Sequence, residues 1–416
     1  MNPPTSHPTG VRVTAASMRG AARLARAAGL GGSVIGGHLG LRLDPGLLAK
    51  LAAHRRIVTV SATNGKTTTT NLLTAALATA GPIVSNTQGS NLATGLAAAL
   101  AADLHIARAA LEVDEATLAA TAFELAPTTM VLANLSRDQL DRYGEVRIVA
   151  EKWRNMLGDL ARAGMHPQVV ANADDPLVTW SVADHTEVTW VSVGSPWTAD
   201  ALVCPDCAAP VIHSASDWHC TGCDLARPTP DVSLVDHTVI LHDEANREVE
   251  LALSLPGAFN LANATMALTA ARTLGIDPSV AATAMRATDE VAGRYATIEA
   301  GGRRIRLLMA KNPAGWQSSL DIVAPPPTPV VVAINARVAD GRDPSWLWDV
   351  PFERLVGRRV VAAGDRADDL AVRLHYGGVD HEVHAGGALD ACRTLPVGPI
   401  DLIANYTAFS DTLAAR

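Results

Sequence analysis

Residues 61 to 70 read Ser-Ala-Thr-Asn-Gly-Lys-Thr-Thr-Thr-Thr and follow the apolar run Ile57-Val58-Thr59-Val60. A glycine that lets backbone N–H groups approach an anion, a lysine that neutralises it and a neighbouring hydroxyl together make the chemistry of a phosphate-holding loop. In that reading Gly65 opens the backbone, Lys66 supplies charge and Thr67 offers a hydroxyl to Mg²⁺, with Thr63, Asn64 and Thr68 completing the loop. The GxxxxGK[ST] spacing would put its first glycine at position 60, where this chain has Val60, so the loop departs from the standard pattern. A capped helix with a chance Gly-Lys pair is the plain alternative.

A second constellation is Cys204, Cys207, Cys220 and Cys223, spaced C-x2-C-x12-C-x2-C. Two such knuckles bring four thiolates to one tetrahedral Zn²⁺, and a site with no open position is structural, not catalytic. Two disulfides are the alternative, and they need an oxidising compartment that nothing in the sequence supports. The insert between the knuckles carries no lysine or arginine, which argues against a nucleic-acid-binding ribbon. Cys392, in the helical pattern LDACRTL, reads as a buried apolar residue and a weak candidate nucleophile. Carboxylates add further candidates: Glu112 at a strand end suits Mg²⁺, with Asp114 and Glu115 as solvated neighbours. Asp340, Asp343 and Asp349 fall in a Gly-containing loop, where a turn carboxylate is the competing reading.

The elements that must position these groups alternate short apolar runs with helical patterns from about residue 55: IVTVSA, PIVS, ARAALEV, TTMVLAN and QVVANA. That is the pattern of β-α-β units and a parallel sheet whose carboxyl edge gathers Thr63, Glu112, Asn134 and Asn172. From 186 to 256 the segments TEVTWVSV, HTVILH and VELALSL suggest an antiparallel extension around a zinc-ribbon insert at 200–227. A second alternating series, from IRLLMA to IDLIAN, predicts a smaller C-terminal α/β domain over 299–416. The expected division is a helical segment 1–54, an α/β domain 55–298 that carries the phosphate loop, and a smaller α/β domain 299–416.

Hydrophobic residues make up 48% of the 416 and charged ones 18%, enough for large cores in two or three domains. A net charge of -8 argues against a surface built for nucleic acid. No run approaches the roughly 18 to 20 apolar residues of a bilayer span and no secretory signal opens the sequence, so a cytoplasmic protein is expected. The stretch MRGAARLARAAGL forms an amphipathic helix that either packs on the first domain or lies on a membrane surface.

Taken together, TNGKTTT, NTQGSN, EVDE, NLSRDQLDRYGE, NADDP and GAFNLANA resemble the central ATPase domain of the Mur ligase superfamily. The resemblance implies that Lys66 and Thr67 hold ATP phosphates and Mg²⁺, that Glu112 supports Mg²⁺, that Asn263 faces the adenine and that Arg294 contacts the nucleotide. Three features depart from the amino-acid-adding members. Gln139 replaces a usual histidine, Ala62 stands where glycine is common, and only about 55 residues precede the loop, too few for a UDP-binding domain. Lys152 is left as a surface lysine.

With the ribbon, AKNPAG, ADGRDPSW and ANYTAF added, the chain is similar to the MurT family, the Mur ligase-like subunits of lipid II isoglutaminyl synthase. That resemblance implies activation of the D-glutamate α-carboxylate of lipid II with ATP at the inner face of the membrane. Ammonia would come from a GatD glutaminase subunit in a heterodimer, with Asp343 completing a triad whose cysteine and histidine the partner contributes. Asn335-Ala336-Arg337 replaces a more acidic pair in relatives. The competing readings are a stand-alone Mur or folylpolyglutamate-type ligase adding an amino acid, and a zinc-ribbon ATPase stimulated by nucleic acid.

Overall fold

A computed structural model describes residues 7–27, 32–86, 90–138, 145–195, 197–214, 216–288 and 295–415. The chain divides into two compact units, Met1–Ser136 with Glu145–Asp289, and Arg137–Gly144 with Glu290–Arg416.

The first unit opens with α1 (Thr9–Ala27), α2 (Gly32–Leu43) and α3 (Leu47–Ala52). It continues through β1 (Arg56–Ser61), α4 (Lys66–Ala78), β2 (Val84–Ser85), α5 (Ala93–Ala102), β3 (Arg108–Glu112), α6 (Glu115–Leu125) and β4 (Thr129–Leu132). Next come α7 (Val146–Arg162), β5 (Gln168–Asn172), α8 (Pro176–Val182) and β6 (Val188–Ser192). A small hairpin, β7 (Val211–His213) and β8 (Trp218–Cys220), precedes β9 (Val232–Val235), β10 (Thr238–Leu241), β11 (Arg247–Glu250), α9 (Ala258–Thr273) and α10 (Pro278–Met285).

Nine strands form one sheet in the order β11-β10-β9-β6-β5-β4-β1-β3-β2. All four residues of β4 are buried, as are the last five of β1, because helices cover both faces of this parallel core. Sequence pattern explains the helices. In α7 the buried residues Val149, Ala150, Trp153, Met156, Leu157 and Leu160 recur every three or four positions, the stripe of a helix lying on a core. The α8 start is set by Pro176 at its first turn and by Asp175, whose side chain accepts from the N–H of Leu177 and Val178.

The segment TEVTWVSV differs from expectation: β6 lies parallel to β5 and β9 parallel to β6, and antiparallel pairing begins only at β9–β10. Alternation alone could not reveal this, since the neighbour of β6 is set by the chain's return after the ribbon. Of VELALSL only Val249 and Glu250 are strand, the remainder leading into the turn before α9.

The second unit contains β12 (Tyr295–Ala300), β13 (Arg303–Met309), α11 (Pro313–Asp321), β14 (Val330–Ala333), β15 (Val360–Ala363) and α12 (Ala367–Tyr376). It ends with β16 (His381–Val383), α13 (Ala388–Thr394), β17 (Gly398–Ala404) and α14 (Tyr406–Ala414). The sheet order is β12-β13-β17-β14-β15-β16, parallel except for the hairpin β12–β13. Gly301 and Gly302, both at positive φ, make that hairpin's two-residue turn. The unit border at Asp289–Glu290 lies ahead of residue 298, because 298 falls inside β12 and β12 pairs with β13.

Candidate functional site

The loop between β1 and α4 sits at the carboxyl edge of the first sheet. Its shape is fixed from the β4 side: Asn134 Oδ1 accepts from Asn64 N at 2.9 Å while its Nδ2 donates to Asn64 O at 2.9 Å. Thr63 adds a second clamp, its Oγ1 accepting from Ser136 N at 3.0 Å and donating to Ser136 O at 3.2 Å. Gly65 has φ +82, a backbone conformation that favours glycine, and a Cβ there would lie 2.3 Å from Asn263 Oδ1. Asn263, on α9, therefore stands against the loop itself.

Lys66 is buried, and its Nζ contacts Ala62 O and lies 2.7 Å from Glu115 Oε2. Glu115 was expected to be solvated; instead it is mostly buried and opens α6 beside the lysine. Asp114 is buried too, as the α6 cap accepting from Ala116 N and Thr117 N. Glu112 ends β3 level with Val60 of β1, and its Oε1 accepts from Asn91 Nδ2 at 3.2 Å. The backbone of Glu112 is held by Asn86, which accepts from Glu112 N and donates to Glu112 O, both at 2.8 Å. Thr67 is half-buried and Thr68 buried at the start of α4. Thr63, Asn64, Gly65, Lys66 and Asn263 are thus brought together around one helix start, with Glu115 as the partner that sequence reading missed. Arg294 and Gln139 lie outside the described residues.

These residues fit a bound nucleotide phosphate and its metal. A glycine cradle at a helix N-terminus, a buried lysine and a strand-end carboxylate supply N–H donors, a cation and an oxygen ligand. Asn172, at the next strand end, accepts from Asp174 N, and Asp175 Oδ2 accepts from Leu135 N at 2.9 Å, tying the β4 and β5 exits together. Burial pushes the Asp175 carboxyl up to about 6 despite three N–H donors.

The four ribbon cysteines converge. Their sulfurs all lie within 4.8 Å of one another, with Cys204–Cys223 at 3.7 Å and Cys207–Cys220 at 3.4 Å. Four Zn–S bonds of about 2.3 Å imply tetrahedral edges of about 3.8 Å, so the set fits a structural zinc. The N–H of Gly222, 3.2 Å from its sulfur, lowers the Cys220 thiol to about 7. The ribbon is anchored to the β5 exit, with Trp218 Nε1 donating to Ala173 O at 3.0 Å and Arg227 Nε 2.6 Å from Asp174 Oδ1.

A cavity of about 380 Å³ lies elsewhere, at the amino ends of β1, β4, β5 and β6, lined by Arg56, Thr129, Gln168, Thr189 and Arg272. It contains no element of the glycine loop, so loop geometry and not cavity size identifies the candidate site.

In the second unit, the turn after β14 is held by Asp340, which is buried. Its Oδ1 accepts from Thr407 N at 2.9 Å and its Oδ2 from Thr407 Oγ1 at 2.5 Å. The Asn405 side chain clamps the β14 and β17 exits together, its Oδ1 accepting from Asn335 N at 3.0 Å and its Nδ2 donating to Asn335 O at 2.6 Å. Arg337 spans Asp365 at 2.8 Å and Asp411 at 2.7 Å, so the acidic partners of this arginine come from the β15 exit and from α14. Asp343 is exposed and accepts from Ser345 N and Ser345 Oγ, both at 2.9 Å. Asp349 pairs with Arg137 at 3.0 Å. Cys392 is fully buried in α13, where burial pushes its thiol up to about 12. Lys152 is exposed.

Comparison with known proteins follows these two units. The Mur ligase middle domain model matches residues 60–271, and the MurT ligase C-terminal model matches 309–409. A lipid II isoglutaminyl synthase (glutamine-hydrolyzing) subunit MurT from Staphylococcus aureus is 30% identical over 383 residues, covering 86% of each chain. The protein of that name from Streptococcus pneumoniae is 29% identical over 84% of this chain and 83% of its own. A UDP-N-acetylmuramate--L-alanine ligase from Thermobifida fusca is 29% identical over 66% of this chain and 52% of its own. Among solved structures, a pseudomurein peptide ligase type C from Methanothermus fervidus aligns with TM-score 0.66 at 17% identity, over 87% of this chain and 78% of that one. A MurF ligase from Thermotoga maritima in complex with ADP aligns with TM-score 0.61 at 16% identity, over 90% and 83%. These two establish the Mur ligase fold.

Proposed function

Because this chain belongs to the MurT family of the Mur ligase superfamily, we propose that it is the synthetase subunit of a lipid II isoglutaminyl synthase, an ATP-dependent carbon-nitrogen ligase. In this reading it activates the α-carboxylate of D-glutamate in lipid II as an acyl phosphate, and ammonia from a GatD-type glutaminase subunit displaces the phosphate to give D-isoglutamine. The observation that carries the reading is the match to relatives so named over 84–86% of the chain, reaching into both units.

The first unit's residues have assignable tasks. The N–H groups after Gly65 face an incoming phosphate, and Lys66 exchanges Glu115 and the loop carbonyl for phosphate oxygen. Glu112 and the Thr67 hydroxyl provide oxygens where Mg²⁺ is needed. Mg-ATP, when bound, supplies the phosphoryl group and neutralises charge on it. Asn263 keeps the loop's shape by filling the space a Cβ at residue 65 would take.

Nitrogen must come from another chain if the cysteines here are structural. Four converge on one site and the fifth is a core thiol held in its protonated form, a poor nucleophile. Asp343, on an exposed turn, is then the carboxylate offered to a partner's imidazole, where it would fix the ring and stabilise its cation.

The test is the product mass after incubating the chain with lipid II and Mg-ATP, with ammonium or glutamine, with and without a GatD-type partner. A decrease of about one dalton, from replacing hydroxyl by amino, that needs the partner only for glutamine is expected. A mass gain of one amino-acid residue without a partner would instead make the chain an amino-acid-adding ligase.

A further inference from the structure

We propose that the outer face of the α1–α2 pair is a docking surface for an anionic lipid membrane. The main observation is an inverted helix. The face of α2 that packs on its neighbours carries Gly36, Gly37 and Gly40, and of the helix's five large apolar residues it takes in Leu41 alone. A Cβ at Gly37 would lie 1.9 Å from Thr94 O on α5, and one at Gly36 would lie 2.8 Å from Met18 O on α1. Only glycines permit that approach. The other four large apolar side chains of the same helix, Val34, Ile35, Leu39 and Leu43, are on the outside, each at least 37% exposed. A surface helix ordinarily turns such residues inward. His38 and Arg42 are exposed among them.

Helix α1 extends the pattern. Val13 and Leu24 are 60% and 74% exposed, and eleven residues at about 100° each bring them back to one face. Arg12 and Arg23 are exposed on the flank of that stripe, while Val11, Ala15, Met18 and Ala25 are buried on the opposite side.

Charge selects the occupant. The first 43 residues hold five arginines, at 12, 19, 23, 26 and 42, and none of the chain's 42 acidic residues, although the whole chain is at -8. A second copy meeting this face through a twofold would oppose basic patch to basic patch. An anionic leaflet is complementary to the arginines, and its headgroup boundary accepts a shallow row of aliphatic side chains. No described helix is long and apolar enough to cross a membrane, so the contact is one of lying on the surface. The biological use of such contact rests on the proposed function, whose substrate is lipid-anchored.

The experiment is co-sedimentation of the 416-residue chain with vesicles of phosphatidylcholine alone or mixed with phosphatidylglycerol, containing neither lipid II nor ATP. Binding to the phosphatidylglycerol vesicles is expected, falling roughly tenfold on raising salt severalfold, a readout that needs no variant. Ile35→Glu/Leu39→Glu should reduce binding at least about tenfold. Arg12→Ala/Arg23→Ala/Arg42→Ala should reduce it roughly a hundredfold, about fivefold for each arginine. Equal pelleting with neutral vesicles, or no pelleting, overturns the proposal. So does concentration-dependent self-association that Ile35→Glu/Leu39→Glu abolishes, which would make the face an interface between copies. Since the vesicles lack substrate, the two readings fail separately: vesicle binding here, with no amidated product in the separate lipid II mass assay, would sink the proposed function and leave this inference standing.

Discussion

Lys66 and Glu115 form a buried ion pair where only one of the two residues declared itself in sequence. The lysine follows a glycine in a loop between strand and helix, whereas Glu115 is the fourth residue of an acidic run whose members look interchangeable. Only the fold shows that Glu112 ends the strand, Asp114 caps the helix and Glu115 turns to the lysine. Lys66→Ala should therefore do two things. Amidation should fall more than about a hundredfold, as expected for losing a charge at a transferring phosphoryl group. Stability should fall by about 3 kcal/mol, because the mostly buried Glu115 carboxylate loses this cation. Lys66→Ala/Glu115→Gln should recover most of that stability, read by urea denaturation, without recovering turnover. Recovery of turnover would remove Lys66 from the phosphate site. At Asp343, exposed and hydrogen-bonded to Ser345 within its own turn, Asp343→Asn should lower glutamine-dependent amidation at least about tenfold and leave ammonia-dependent amidation near normal. Equal losses with both nitrogen sources would place this residue elsewhere in the reaction.

Elements carry the next two predictions. Asp175 caps α8 and receives the N–H of Leu135, all within a buried turn. Its carboxyl, near 3.8 unfolded and about 6 folded, holds a proton in the folded chain that the unfolded chain has lost between those values. Raising pH from 4 to 6 should thus withdraw about 2 kcal/mol of stability, and the loss levels off near pH 7. Thermal unfolding of the parent against Asp175→Asn across pH 4 to 7 checks this: the parent should lose ground to the variant as pH rises. The ribbon hairpin has a core of only Cys204, Val211, Trp218 and Cys220 with a few partly buried neighbours, too little to hold two short strands. Chelation should open residues 204–223 to protease while the nine-stranded sheet stays protected. Because Trp218 is bonded to Ala173, indole fluorescence should shift at the same time. Both the ribbon and the parallel strands β1, β3, β4 and β5 could be read from sequence, since ligand spacing and two-faced burial leave local marks. The parallel pairing of β6 left no such mark, as it depends on where the chain returns some forty residues later.

At the scale of the whole chain, the alternating pattern gave two α/β units but placed the second one's start inside β12. The reason is that a hairpin's first strand is amphipathic and reads like a connection until its partner is known. Charge was equally visible as a total and hidden as a distribution, because arginines at 12 to 42 matter only once the glycine face of α2 is seen to be packed. In the second unit β17 lies between β13 and β14, so stopping the chain at Val397 should leave both as unpaired edges and make that unit aggregate, as read by solubility and amide exchange. Filling an interior place with the strand made last also sets a schedule on the ribosome. Residues 398–404 emerge roughly 65 residues after β14, about 3 to 13 s at ordinary elongation rates of about 5 to 20 residues per second. For that interval the nascent chain carries a divided sheet, and the apolar strands either side of the gap are the surface on which a chaperone would have to act.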